Sequence, residues 1–184
     1  MRTKLEILAE DISACTCCEL HKTRTRTVFG RGDTTSGFVV IGEAPGADED
    51  ERGIPFVGRS GKLLDEMMKE AGVPSYYVMN AIKCRPPDNR PPTREEIKEC
   101  HPWFRAQLGL VNPRVLLALG RTAAKALNVS QFMPEVGWRG SEFEELDLKI
   151  VVTFHPAYVL RQPGSRRYVV EDIRKAHACR SHSP

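Results

Sequence analysis

The chain begins with a concentration of sulfur. Within SACTCCELHKTRT, residues Ser13 to Thr25, the thiols Cys15, Cys17 and Cys18 fall in four positions. Cys15-x-x-Cys18 has metal-ligand spacing, because a two-residue gap lets both sulfurs turn toward one centre. Cys84 and Cys100 follow, with 15 residues between them. The set C-x2-C…C-x15-C offers four thiolates. Zinc and an iron–sulfur cluster both accept such a set, and spacing alone does not choose between them. Cys17 reads as a neighbour of the centre and Cys179 as a loose tail thiol. The competing reading makes some of these cysteines small buried apolar groups.

Ligands so far apart in sequence need elements to bring them together. The 184 residues suit one domain over 1–184, 41% apolar and 28% charged, a globular composition. Thr3 and Glu6 form a capping-box pattern ahead of a helix over 3–13, with Leu5, Leu8 and Ile12 on one face. GFVVIG (37–42) predicts a buried strand ending in a glycine-rich loop. GKLLDEMMKEA (61–71) places Leu63, Leu64, Met67, Met68 and Ala71 on one helical stripe, with the methionines as core. YYVMNAI (76–82) is a second strand. A second capping box, Thr93 and Glu96, starts a helix that Pro102 is expected to end or kink just after Cys100. RVLLALG (114–120) and LKIVVTF (148–154) complete a set of four strands. Short helices are expected over 121–127 and 168–178.

Strands alternating with helices predict an α/β fold, a three-layer α/β/α sandwich around a central, mostly parallel four-stranded sheet. Ligands of such sheets bind in the loops at the carboxyl ends of the strands. Three segments therefore stand out: GEAPG after the first strand, Asn80 to Cys84 around the end of the second, and HPAYVLR after the fourth.

The longest apolar runs are far too short to cross a bilayer, and MRTKLEILAED lacks a signal-peptide core. A cytoplasmic setting is expected, where thiols stay reduced. The net charge is only +3, but it is uneven. Six Arg/Lys side chains from Arg161 onward (Arg161, Arg166, Arg167, Arg174, Lys175, Arg180) face only Glu171 and Asp172. His21, Lys22, Arg24 and Arg26 form a second basic cluster, and Asp48–Glu51 is an acidic run. Basic patches on a near-neutral chain suit either a phosphate-bearing partner or a solvated surface.

GEAPGADEDERGIPFVGRSGKLLDEMM, NAIKCRPPDNRPPTREEIKEC and FHPAYVLR occur in this order. Together with the four placed cysteines they resemble the family 4 uracil-DNA glycosylases, the iron–sulfur branch of their superfamily, over nearly the whole chain from about Cys15 to Ala176. The resemblance implies a 4Fe–4S cluster on Cys15, Cys18, Cys84 and Cys100, structural rather than redox-active. It places Gly42, Glu43, Ala44, Phe56, Asn80 and His155 in a uracil pocket. It makes Leu160 a wedge that fills the vacated base stack and Arg161 a phosphate contact. It implies an enzyme, a monofunctional glycosylase of uracil-containing DNA, single- or double-stranded, that initiates base excision repair. A monomer with no membrane association is expected.

The residues suit that chemistry on their own terms. Cutting an N-glycosidic bond gathers positive charge on the sugar and negative charge on the departing base, and a base in a duplex must first be flipped out. Phe56 can stack on the base. Asn80 can donate to O4 and accept from N3–H. His155 can donate to O2, where the leaving uracil gathers charge. Water activation is less well marked: Ala44 stands where the best-known branch of the superfamily has an aspartate. Glu43 is the expected catalytic partner of His155, through water or pocket shape, with Glu49 and Asp50 as further candidates. The alternative is a non-catalytic iron–sulfur or zinc nucleic-acid-binding module, which would not need the Phe56, Asn80 and His155 set.

Overall fold

The computed structural model describes residues 2–128, 139–145 and 148–179. Six strands form one sheet: β1 (Arg31–Gly32), β2 (Phe38–Gly42), β3 (Tyr77–Asn80), β4 (Val115–Leu119), β5 (Glu142–Glu145) and β6 (Leu148–Thr153). Their order is β1-β3-β2-β4-β6-β5. The inner four are parallel neighbours and correspond to the four predicted strands. The edges β1 and β5 pair antiparallel and raise the strand count above the expected four. A two-residue strand and a segment rich in glutamate carry no apolar run, so neither announces itself by hydrophobic pattern.

Every residue of β2 and β4 is buried, as a strand covered on both faces requires. Alternation splits their side chains between two cores. Val39, Ile41, Leu116 and Ala118 face α4 (Arg94–Val111) and α5 (Gly120–Ala126), meeting Phe104, Leu108 and Ala123. Phe38, Val40, Val115 and Leu117 face α3 (Arg59–Glu70) and α7 (Arg166–Cys179), meeting Leu64, Met67, Met68 and Ile173. These two cores with the sheet between them are the expected three layers, and the methionines are core as predicted. Cys179 is not loose: it packs half-buried against the second core.

Both capping boxes form. Thr3 opens α1 (Lys4–Ser13) and Thr93 opens α4, each bonded to the backbone N–H three residues on. Pro102 does not end α4, which runs on to Val111. The carbonyl left without a partner by Pro102 belongs to Lys98, an exposed residue, so water can serve it. No helix among the described residues is long and apolar enough to cross a membrane.

Candidate active site

A cavity of about 560 Å3 opens at the carboxyl edge of the parallel strands, lined by Glu43, Ala44, Phe56, Asn80, His155 and Arg161, among others. That volume suits a small-molecule or nucleoside site. Asn80 is the last residue of β3 and pairs in register with Gly42, the last of β2. Gly42 lies behind the lining and leaves room for it. A Cβ there would stand 2.3 Å from Asn80 Oδ1 and 2.5 Å from Phe56 Cζ, so only glycine lets the amide and the ring come together.

Asn80 is 2% exposed, and its Oδ1 is buried without a hydrogen-bond partner. Such an acceptor is costly in a closed core. Here it borders a cavity that a donor can enter. His155 ends the loop after β6 and caps α6 (Pro156–Arg161), with Pro156 at the first helical position, where proline's missing N–H costs nothing. Its Nδ1 accepts the Ala157 N–H at 3.1 Å. Nδ1 is therefore unprotonated and the ring hydrogen sits on Nε2. Burial pushes its pKa down to about 4, with Arg161 adding in the same direction. The imidazole is thus neutral at pH 7, with one N–H to donate. The Phe56 and His155 ring centroids are 6.0 Å apart.

Phe56 adopts φ 55°, a left-handed conformation that a bulky side chain rarely takes. Its neighbours impose it. Glu49, on α2 (Ala47–Arg52), accepts the Val57 and Gly58 N–H groups at 2.9 Å each through Oε1, and the Gly46 N–H at 3.1 Å through Oε2. From the other side Arg31 donates to the Pro55 carbonyl at 2.9 Å and the Phe56 carbonyl at 3.3 Å. A Cβ at Gly61 would lie 1.8 Å from the Phe56 carbonyl oxygen, so this glycine is also required by close approach.

The thiols gather beside this cavity. Cys15, Cys17, Cys18, Cys84 and Cys100 line one small space with Ile82, Lys83 and Trp103. Three donors aim at sulfur: Trp103 Nε1 to Cys15 Sγ at 3.2 Å, the Lys83 N–H to Cys100 Sγ at 3.3 Å and Arg24 Nη1 to Cys84 Sγ at 3.3 Å. Burial raises the Cys84 pKa and pushes that of Cys100 up to about 11. Among the described residues no group of three or more His, Cys, Asp or Glu is arranged to hold a single metal ion. Ala44 packs against the cysteines and also lines the larger cavity, so the two sites share a wall.

Residues 29–176 match the uracil DNA glycosylase superfamily. The chain is 42% identical over 177 residues to the type-4 uracil-DNA glycosylase of Thermotoga maritima, covering 94% of this chain and 92% of that protein. It is 39% identical over 183 residues to the type-4 enzyme of Pyrobaculum aerophilum, covering 92% and 91%. It is also 39% identical over 180 residues to that of Archaeoglobus fulgidus, covering 93% and 90%. The chain belongs to the type-4 uracil-DNA glycosylases.

Of the residues that the family resemblance singled out, the fold brings Glu43, Ala44, Phe56, Asn80, His155 and Arg161 to one cavity. Gly42 stands behind it. Leu160 lies outside it on α6, 39% exposed. Sequence reasoning missed several lining residues, among them Tyr158, Asn89 and Arg90. Tyr158 is exposed and braced by the Phe154 ring at 4.7 Å, and it follows His155 closely enough to have been suspected. The charge clusters also serve the fold. Arg24 wraps the thiols, and Asp50 accepts the Thr25 and Arg26 N–H groups. Arg166 pairs with Glu66 and Glu70. Arg180 lies outside the described residues.

Proposed function

We propose that the protein hydrolyses the N-glycosidic bond of uracil flipped out of DNA, leaving an abasic site, and that the cavity between Phe56, Asn80 and His155 receives the base. The observation that carries this reading is the buried, unpartnered Oδ1 of Asn80 at the cavity wall. Uracil N3–H supplies the missing donor, and the amide N–H2 of the same side chain donates to O4. Phe56 offers a face for stacking. The Nε2–H of neutral His155 donates to O2, where the electron pair of the breaking C1′–N1 bond accumulates; such a donor contributes about 3 kcal/mol.

The attacking water adds its oxygen to C1′ as uracil departs and gives its proton to a carboxylate or to solvent. Three acidic candidates follow the first strand, and their contacts separate them. Asp50 is occupied by backbone N–H groups behind the cavity. Glu49 lines the cavity but holds three backbone N–H groups. Glu43 lines the cavity half-buried and has no such duty, which favours it as the residue that orders the water. An oxocarbenium-like path needs little more activation than that.

Cys15, Cys18, Cys84 and Cys100 would hold a 4Fe–4S cluster. The donor set fits: four sulfurs around one space, three of them accepting N–H groups. When bound, the cluster supplies a covalent staple between the N-terminal segment and the loop after β3. Leu160 and Arg161 on α6 would meet the duplex as wedge and phosphate contact. We place this work in the cytoplasm, by a monomer. Release of free uracil from a single-stranded oligonucleotide tests the reading directly. The wild-type protein is expected to release it, and DNA binding without release would leave only a binding module.

A further inference from the structure

Three residues separate the candidate base reader from the first of the two later cysteines, and the last of them, Lys83, makes the contacts that tie them. It is 1% exposed. Its Nζ donates to the backbone carbonyl of Asn80 at 2.7 Å, with the Phe104 ring centroid 5.9 Å away. Its own backbone N–H donates to Cys100 Sγ and its carbonyl accepts the Val28 N–H at 2.7 Å. One residue thus grips the end of β3, the cysteine site and the segment that follows the N-terminal thiols.

Fold stability alone does not call for a lysine here. Lysine is among the residues least often fully buried, and stripping water from an ammonium is costly. Methionine would fill much the same space beside Phe104 without that cost. What lysine adds is a donor long enough to reach back three residues. The peptides after Asn80 are tied to the end of β2 and the residue after it: Ala81 N–H donates to the Gly42 carbonyl and Ile82 N–H to the Glu43 carbonyl, at 3.0 and 3.1 Å. The Asn80 carbonyl points the other way, and Lys83 receives it. With both sides of that peptide held, the Asn80 side chain leaves the backbone in one direction.

We infer that Lys83 is a positioning residue: by holding the Asn80 carbonyl it fixes the amide that tells uracil from cytosine. Cytosine reverses the polarity of uracil at both positions, so discrimination depends on an amide that cannot swing to suit either base. A loosened Asn80 still binds, but it reads less sharply. This rests on the reading of Asn80 given above.

The test is Lys83→Met in the iron-loaded protein. Two noncleaved oligonucleotides, carrying 2′-fluoro-deoxyuridine or 2′-fluoro-deoxycytidine, give an affinity ratio that does not depend on turnover. Iron content and affinity for undamaged DNA are expected to stay within about twofold of wild type. The uracil-to-cytosine affinity ratio is expected to fall about tenfold, and the single-turnover excision rate per iron-loaded molecule by roughly 10–100-fold, the scale of a small misplacement. An unchanged ratio and rate would overturn the inference. So would a rate that falls only in step with iron content, since Lys83 would then serve the fold alone. If Lys83→Met gives no soluble protein, Lys83→Leu, which also lacks a donor, is expected to show the same losses, and wild-type values from it would overturn the inference equally. A wild-type protein that neither releases uracil nor prefers the uridine oligonucleotide would instead defeat the functional reading itself.

Discussion

The base cavity and the cysteine site share a wall but are built in opposite ways. The cavity hangs on main chain. Asn80 sits on the last rung between β2 and β3, His155 caps a helix, and backbone N–H bonds to Glu49 shape the Phe56 loop. The cysteine site is assembled from side chains of distant segments. Three N–H···S contacts, Trp103 to Cys15, Lys83 to Cys100 and Arg24 to Cys84, and a small apolar cluster of Leu20, Ile82, Cys84 and Cys100 draw these segments together. A pocket made of ladder ends keeps its shape before its ligand arrives, which is what electrostatic catalysis requires. A site made of side chains gains its shape from what it binds, so the proposed metal binding there would be coupled to folding.

The sharpest test of the preformed side is Asn80→Asp. It presents acceptors only and loses the donor to uracil O4. Single-turnover excision of uracil is expected to fall by roughly 10²-fold or more, with DNA affinity near wild type and a smaller penalty against cytosine. Full activity would show that the base is read elsewhere.

Removing the metal probes the other side. The iron-loaded protein is expected to be brown, with broad absorbance near ~400 nm. Chelation, or Cys84→Ser, should abolish the colour, whereas Cys17→Ser and Cys179→Ser should keep it. Hydrogen exchange after chelation should speed up across residues 14–26 and 84–100 and stay slow in β2 and β4. Loss spread evenly over the chain would erase the contrast between the two sites.

A smaller effect is expected where the preformed pocket meets DNA. Leu160→Ala should slow excision from duplex about tenfold and from single strands less, since unstacking costs a few kcal/mol only in the duplex. Equal losses would place Leu160 outside base flipping.

The last effect is on stability. His155 has a folded pKa of about 4 against an ordinary value of 6.5. Between these values the unfolded chain binds more protons than the folded one. The contribution of the neutral imidazole is therefore complete above pH 6.5 and lost as pH falls toward 4. Thermal melts from pH 8 to 4 should show that decline, and His155→Asn should flatten it.

The cavity was legible in the sequence because its residues lie at the ends of apolar runs, and a run of buried β-residues fixes where a parallel strand stops. That rule drew attention to the segments that carry Asn80 and His155, and the family resemblance supplied their expected roles. The cysteine pairing was legible as spacing. What pattern did not reveal was who holds the parts in place. Glu49 and Asp50 read as part of an acidic run and as further candidates for placing the water, yet both end on backbone N–H groups of other loops. Pro102 read as a stop, yet the carbonyl it leaves without a partner belongs to an exposed residue. Lys83 is one basic residue beside a cysteine until the fold closes around it. Each of these depends on which neighbour arrives from elsewhere in the chain, and one-dimensional periodicity does not record that.

The backbone of Phe56 has a consequence for anyone improving this protein. Its left-handed φ costs on the order of 1–2 kcal/mol in an L-residue and almost nothing in glycine. Yet the ring is only 7% exposed and belongs to the core under α3 and α7, where truncating a buried phenylalanine costs about 3–5 kcal/mol. Glycine at position 56 would relax the backbone and still lose more stability than it gained, together with the ring that faces His155. Selection for durability and selection for repair therefore ask for the same side chain here, and a thermal screen would keep position 56 even without an activity assay.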